Sequence, residues 1–111
     1  ARPDIQTAIA FLCTRIKEPD VDDYKKLTRV VRYLRRYPKL PLTLEGTKAD
    51  TVTWSVDAAF GVHGDMRSHT GGCGAIGLGM FSCSSKKQKI NTKSSTEAEL
   101  VGVDDLMDKI V

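Results

Sequence analysis

No run of the sequence approaches the roughly 20 apolar residues that a membrane-spanning helix needs, and the N-terminal "ARPDIQTAIAF" lacks the basic-then-apolar layout of a secretory signal. These absences argue for an intracellular chain, cytoplasmic or nuclear, with no membrane partner. Cysteine is sparse: Cys13, Cys73 and Cys83 are odd in number and form no CxxC pair. That usage fits free thiols in a reducing compartment rather than a disulfide framework. Aromatics are few as well, at 6%, so base stacking on a single strand is not suggested. The chain also starts without Met, and "LMDKIV" stops with no Gly, Pro or Asn to close a helix. Both ends read as cut, which predicts a fragment of a longer polypeptide.

What is present is ordinary for one globular domain: 111 residues, 41% hydrophobic and 28% charged. The net charge of +3 is mild, yet "KKLTRVVRYLRR" (25 to 36) carries six basic residues and no acidic one. Residues 3 to 17 read as a helix, with Pro3 at a first helical position and Ile5, Ile9, Leu12 and Ile16 at helical spacing. Asp20 should cap a second helix whose first turn holds Asp22 and Asp23. On that helix Tyr24, Leu27, Val30, Val31 and Leu34 share one side, and Lys25, Arg29, Arg32 and Arg36 form a stripe opposite. The stripe is either a solvated face or a surface for nucleic-acid phosphates. Lys86 and Lys87, in "SSKKQK", add a second basic cluster that favours nucleic acid.

"YPKLPLTLEGTKAD" (37 to 50) breaks the pattern with two prolines, leaves room for a short strand at "LTL", and ends in a Gly-containing turn. A boundary is placed here, giving units 1–44 and 45–111. From 51 the period becomes two, with Val52, Trp54 and Val56 alternating against polar neighbours, as in a strand. "GVHGDMRSHTGG" reads as a loop, "CGAIGLGMFSCSS" as one or two strands, and "SSTEAELVGVDDLMDKIV" as a helix burying Leu100, Val103, Leu106, Met107 and Ile110. The expected class is α+β: an N-terminal helix pair, then a β-β-β-α unit.

Several residues bear chemistry. "GCGAIG" (72 to 77) matches GxGxxG, but strand continues where a dinucleotide site needs a helix. A Gly-rich strand against which another backbone or a nucleic-acid strand packs closely is the better reading. His63, His69, Cys73 and Cys83 are zinc-type donors whose spacing lacks the short knuckle of a structural site. Asp57 is the odd residue in its strand, either at an exposed strand end or holding a metal. Ser94 with Glu97 fits the S-x-x-E capping box, and Thr96 with Glu99 fits the same template. Capping alone leaves open which glutamate is free.

"VDAAF", "DMRSHTGG", "SSKKQK" and "SSTEAELVGVD", in this order and spacing, resemble the start of the RNase H domain of copia-type retrotransposon polyproteins. The stretch before them resembles the end of the reverse transcriptase region, through "RPDIQTAIAFLCTRIKEPD" and "KKLTRVVRYLRR". The resemblance implies a partial RNase H-like fold whose complete form hydrolyses RNA in RNA/DNA hybrids with two Mg²⁺ ions about 4 Å apart. It implies Asp57 and Glu99 as catalytic, metal-binding carboxylates, and leaves Glu97 to the cap. RNA/DNA hybrid and the rest of the polyprotein are the implied partners. Two departures follow: Ala59 stands where many relatives carry a second acid, and the third carboxylate belongs to a strand beyond Val111. Asp104 and Asp105 are too late on the helix to replace it and read as surface residues. This fragment is therefore expected to be inactive. The competing expectation is a non-catalytic nucleic-acid-binding or structural module using the basic helix.

Overall fold

The structure, a computed structural model, describes residues 2–44 and 50–111. The Gly-containing turn expected at 45–49 lies outside the described residues. Pro3–Ile5 form a 3₁₀ turn leading into α1, Gln6–Thr14. Helix α2 spans Val21–Arg36, strands β1, β2 and β3 span Val52–Ala59, His69–Ile76 and Gly79–Lys87, and α3 spans Ser95–Ile110. The fold is α+β, as the periodicities predict. "LTL" at 42–44 is not a strand.

The start of α2 is fixed by its own acids. Asp20 Oδ1 accepts from the Asp23 amide at 2.8 Å and Asp23 Oδ2 accepts from the Asp20 amide at 3.0 Å, a reciprocal cap that satisfies donors the helix itself leaves free. Asp23 is buried and also accepts from Arg15 Nε at 3.0 Å. At the other end Asp4 ties the 3₁₀ turn to α2, ion-paired to Arg2 and accepting from Tyr33 Oη, both at 2.8 Å. The Arg2 guanidinium holds the Asp4 carboxyl well below the usual carboxylate range. Of the five apolar residues expected on the buried side of α2, only Val30 is buried, whereas Tyr24, Leu27 and Val31 are exposed. The reason is geometric: α1 is short and covers only part of that face.

The three strands form one antiparallel sheet in the order β1-β2-β3. β2 starts at His69, so "HTGG" is strand where the sequence suggested loop. The β2–β3 hairpin turns on Gly77 and Leu78, with Gly77 at φ 62°; a two-residue turn whose first residue has positive φ is the II′ arrangement that suits strand twist. The register slips between Gly74 and Ala75, leaving Phe81 as the extra residue of a bulge.

Helix α3 packs on one face of the sheet, chiefly over β1 and β2. The residues it buries are Ala98, Gly102 and Leu106, not the full stripe expected from its apolar pattern. Leu100 is 68% exposed, and Val103, Met107 and Ile110 are also exposed. Close approach explains the rotation, because a Cβ at Gly72 would collide with the Leu106 side chain. A glycine on the strand thus makes the socket for one leucine side chain, where the sequence reading expects another backbone or a nucleic-acid strand. Polar groups reinforce the contact: fully buried Thr70 donates to Asp105 Oδ2 at 2.9 Å, and buried Gln88 donates through Nε2 to Thr70 Oγ1 at 3.0 Å and to the Ala98 carbonyl at 2.9 Å.

Helix α1 lies against β3, where Gln6 Nε2 donates to the Cys83 carbonyl at 3.1 Å. The connecting segment is close to the sheet too: a Cβ at Gly79 would meet Leu44 Cα at 2.6 Å and the Thr43 carbonyl at 2.7 Å. Residues of the N-terminal helical segment and its connector therefore contact the sheet.

Candidate functional site

Asp57 sits two residues before the end of β1. Along this strand Trp54, Val56 and Ala58 are half-buried, while Ser55, Asp57 and Ala59 are exposed, so alternation puts Asp57 on the face away from α3. Its partner across the ladder is Gly71, and Gly71 is in turn opposite Ser85. With no side chain at Gly71, an open depression of about 350 Å³ forms over the sheet, lined by Asp57, Ser85, Cys73 and Cys83 and rimmed by Gln6 and Thr7. Asp57 Oδ1 accepts from the Ala58 amide at 2.9 Å, and the carboxylate is otherwise open to solvent.

The two glutamates of "STEAEL" separate cleanly. Ser94 caps α3, its side chain accepting from the Glu97 amide at 3.1 Å, while Glu97 Oε2 reaches back to the Lys93 amide at 2.6 Å. The return bond falls one residue earlier than the capping-box template, which would use the Ser94 amide. Glu97 is thereby committed to the helix start. Glu99 is exposed and carries no hydrogen bond among the described residues. Asp57 lies on the sheet face away from α3, near the end of β1, and Glu99 lies in the second turn of α3. Among the described residues no group of three or more His, Cys, Asp or Glu side chains is placed to hold a metal. The oxygen donors suit Mg²⁺ in kind, but two carboxylates are fewer than a metal cage needs.

The basic residues divide in two. Arg29 and Arg32 are exposed, make no ion pair among the described residues, and flank a shallow hollow with Lys25 and Thr28. Lys25 makes only a loose, solvent-exposed pair with Asp22 at 3.4 Å, and Arg36 donates to the Tyr37 hydroxyl at 3.2 Å. Lys86 and Lys87 are engaged. Lys86 binds Asp105 at 3.2 Å and Lys87 binds Asp65 at 2.7 Å, and the Lys87 ammonium pulls the Asp65 carboxyl down. Asp105, read from sequence as a surface residue, is instead the half-buried acid that joins Lys86 and Thr70. Asp104 is exposed as expected.

A chain of rings that spacing alone left undefined lies beside this face. His63 Nε2 is 3.0 Å from His69 Nδ1, and His69 Nε2 is 2.8 Å from Ser85 Oγ. His63 is buried and stacks on Phe11 with ring centroids 5.9 Å apart. Burial lowers both imidazole pKa values, and for His63 the neighbouring His69 adds to the effect. Each bond needs one donor and one acceptor, so the chain is satisfied with both rings neutral. The candidate zinc set thus resolves into a histidine pair and a separate cysteine pair. Gln88, Thr70 and Ser68, all buried, were invisible in the sequence because polar residues inside "MRSHT" and "SKKQK" follow no apolar period. The one usable signal was Gln88 as the uncharged residue within a basic run.

No helix among the described residues is long and apolar enough to cross a membrane. No family model matches the chain, and no solved structure matches it. Residues of this chain are 34% identical over 99 positions to the Uncharacterized mitochondrial protein AtMg00810 of Arabidopsis thaliana, an alignment covering 88% of this chain and 41% of that protein. The chain thus spans well under half the length of the curated relative it matches, and over most of its own length it is a distant homologue of that plant protein.

Proposed function

We propose that the chain is a segment of a copia-type retrotransposon polyprotein, joining the end of the reverse transcriptase region to the opening β-β-β-α unit of its RNase H domain. The observation that carries this reading is positional: an exposed aspartate late in β1 and an exposed glutamate in the second turn of α3, within the motif order of that family. In the complete domain two Mg²⁺ ions would activate water and stabilise the leaving oxygen during cleavage of the RNA strand of a hybrid. Asp57 and Glu99 would each contribute an open carboxylate. In this segment they are not assembled with a third acid, so it is expected to be inactive alone.

Assay of an RNA/DNA hybrid in Mg²⁺ should give no cleavage with this chain. A longer polypeptide continuing past Val111 should cleave, and should lose activity on Asp57→Asn or Glu99→Gln. Cleavage by the present chain that Asp57→Asn abolishes would overturn the inactivity, and cleavage by the longer chain that survives both substitutions would overturn the ligand assignment.

A second reading, a non-catalytic nucleic-acid-binding module, is favoured by the exposed Arg29 and Arg32, which make no ion pair among the described residues. Neutralised phosphates release counterions, so losing two contacts should lower the salt slope of binding by about 2. Under this reading Arg29→Ala with Arg32→Ala weakens hybrid binding accordingly, with no dependence on Mg²⁺. Unchanged affinity and slope would remove it.

A further inference from the structure

Cys73 and Cys83 are direct cross-strand partners in the β2–β3 ladder. Strand alternation puts both side chains on one face, and both line the depression beside Asp57. Both thiols are free and half-buried. Directly opposed residues of an antiparallel pair have Cα atoms roughly 4.5 to 5.5 Å apart, inside the roughly 4.4 to 6.8 Å span of a disulfide. Their Cβ atoms need only a small further approach. Local pliability supplies it: Gly72 and Gly74 flank Cys73, and the ladder slips next to Gly74. No third metal-type ligand joins them among the described residues, so the pair is better suited to bond to itself than to hold an ion. The Cys83 thiol is pushed up by burial and then by the Cys73 thiol.

We propose that Cys73 and Cys83 form a dithiol modification site that closes to a cross-strand disulfide by exchange with a small disulfide oxidant such as oxidised glutathione. In the first step one cysteine thiolate attacks a glutathione sulfur, forming a mixed disulfide and releasing one glutathione thiolate. In the second the other cysteine thiolate attacks the protein sulfur of that mixed disulfide and expels the second glutathione. Two protein thiols are oxidised, one glutathione disulfide is reduced to two thiols, and the two cysteine protons end on the released glutathiones. The product staples β2 to β3 beside Asp57. Cys13, exposed on α1, has no such partner and serves as the internal reference.

The test exposes the reduced full chain to oxidised glutathione, alkylates remaining thiols, and maps tryptic peptides by mass spectrometry. No Lys or Arg lies between Arg67 and Lys86, so both cysteines fall in one peptide, and closure appears as loss of two hydrogens with no alkylation. The expected result is closure within this peptide while Cys13 stays alkylatable or carries glutathione. Closure should be at least about tenfold faster in the folded chain than in concentrated urea, because the fold pre-orients the thiols. In Cys73→Ser, Cys83 should instead retain a stable glutathione adduct. Separate adducts on Cys73 and Cys83, linkage of either to Cys13 or to a second chain, or equal rates folded and unfolded would each overturn the proposal.

Discussion

A methyl group added at Gly72 would occupy space taken by the Leu106 side chain, which is fully buried. Forcing the helix outward to make room costs about 1–3 kcal/mol, the usual range for overpacking, so Gly72→Ala should lower the urea midpoint sharply. Gly102→Ala is the contrasting case. Its Cβ would meet Ala58 Cβ at 3.4 Å, an ordinary contact, and alanine favours the helix over glycine by up to about 1 kcal/mol. That substitution should be neutral or stabilising, and comparable losses for both would mean that the Leu106 socket does not set the spacing. Single residues with local jobs were legible in the sequence: Asp20 and Ser94 precede apolar periodic stretches, and both cap helices. Asp105 was not, because its partners Thr70 and Lys86 come from two strands far away in the chain, and no spacing rule foretells such a meeting.

Among the elements, α2 and β1 were the most readable, since capping, helical spacing and two-residue alternation agree over their whole length. β2 was read short because Gly71 and Gly72 have little intrinsic preference for strand. They are held in one by the ladders to β1 and β3 on either side. The β1–β2 connection is in turn fastened to the sheet through His63, His69 and Ser85, and this gives it a pH dependence. Both imidazole pKa values are lowered in the folded chain, so the unfolded chain takes up protons first as pH falls. Their contribution is complete above the ordinary histidine pKa of about 6.5 and is lost as pH falls below it through the folded values. Urea midpoints should drop between about pH 7 and pH 5, and His63→Gln with His69→Gln should flatten that slope. An unaltered slope in the double variant would assign the pH dependence to other groups. The depressed carboxyls of Asp4, Asp23 and Asp65 act separately, in the more acidic carboxylate range.

At the scale of the whole molecule, the class and element order followed from the sequence, but the distribution of apolar surface did not. Periodicity identifies an apolar stripe without saying what covers it. Tyr24, Leu27 and Val31 on α2 and Leu100, Val103 and Met107 on α3 remain exposed. β1, meanwhile, is an edge strand of the sheet, offering N–H and C=O groups to another chain. Together these features predict concentration-dependent association, visible by sedimentation velocity, with rapid hydrogen exchange at outward amides of residues 52–59 in dilute solution. A sharp monomer at high concentration with strong protection across 52–59 would rule this out. The candidate site was legible only as residue types. Asp57 and Glu99 could be named, but the place of Asp57 opposite Gly71 depends on the register of β1 against β2, which no local pattern gives.

The passage of Thr43 and Leu44 over Gly79 gives the connection from the helices to the sheet a mechanical character. Thr43 and Leu44 are seated against Gly79 at the start of β3, and α1 lies against the same strand. The N-terminal helices are therefore moored to the third strand of the sheet at two points, and not only by the chain link to the first.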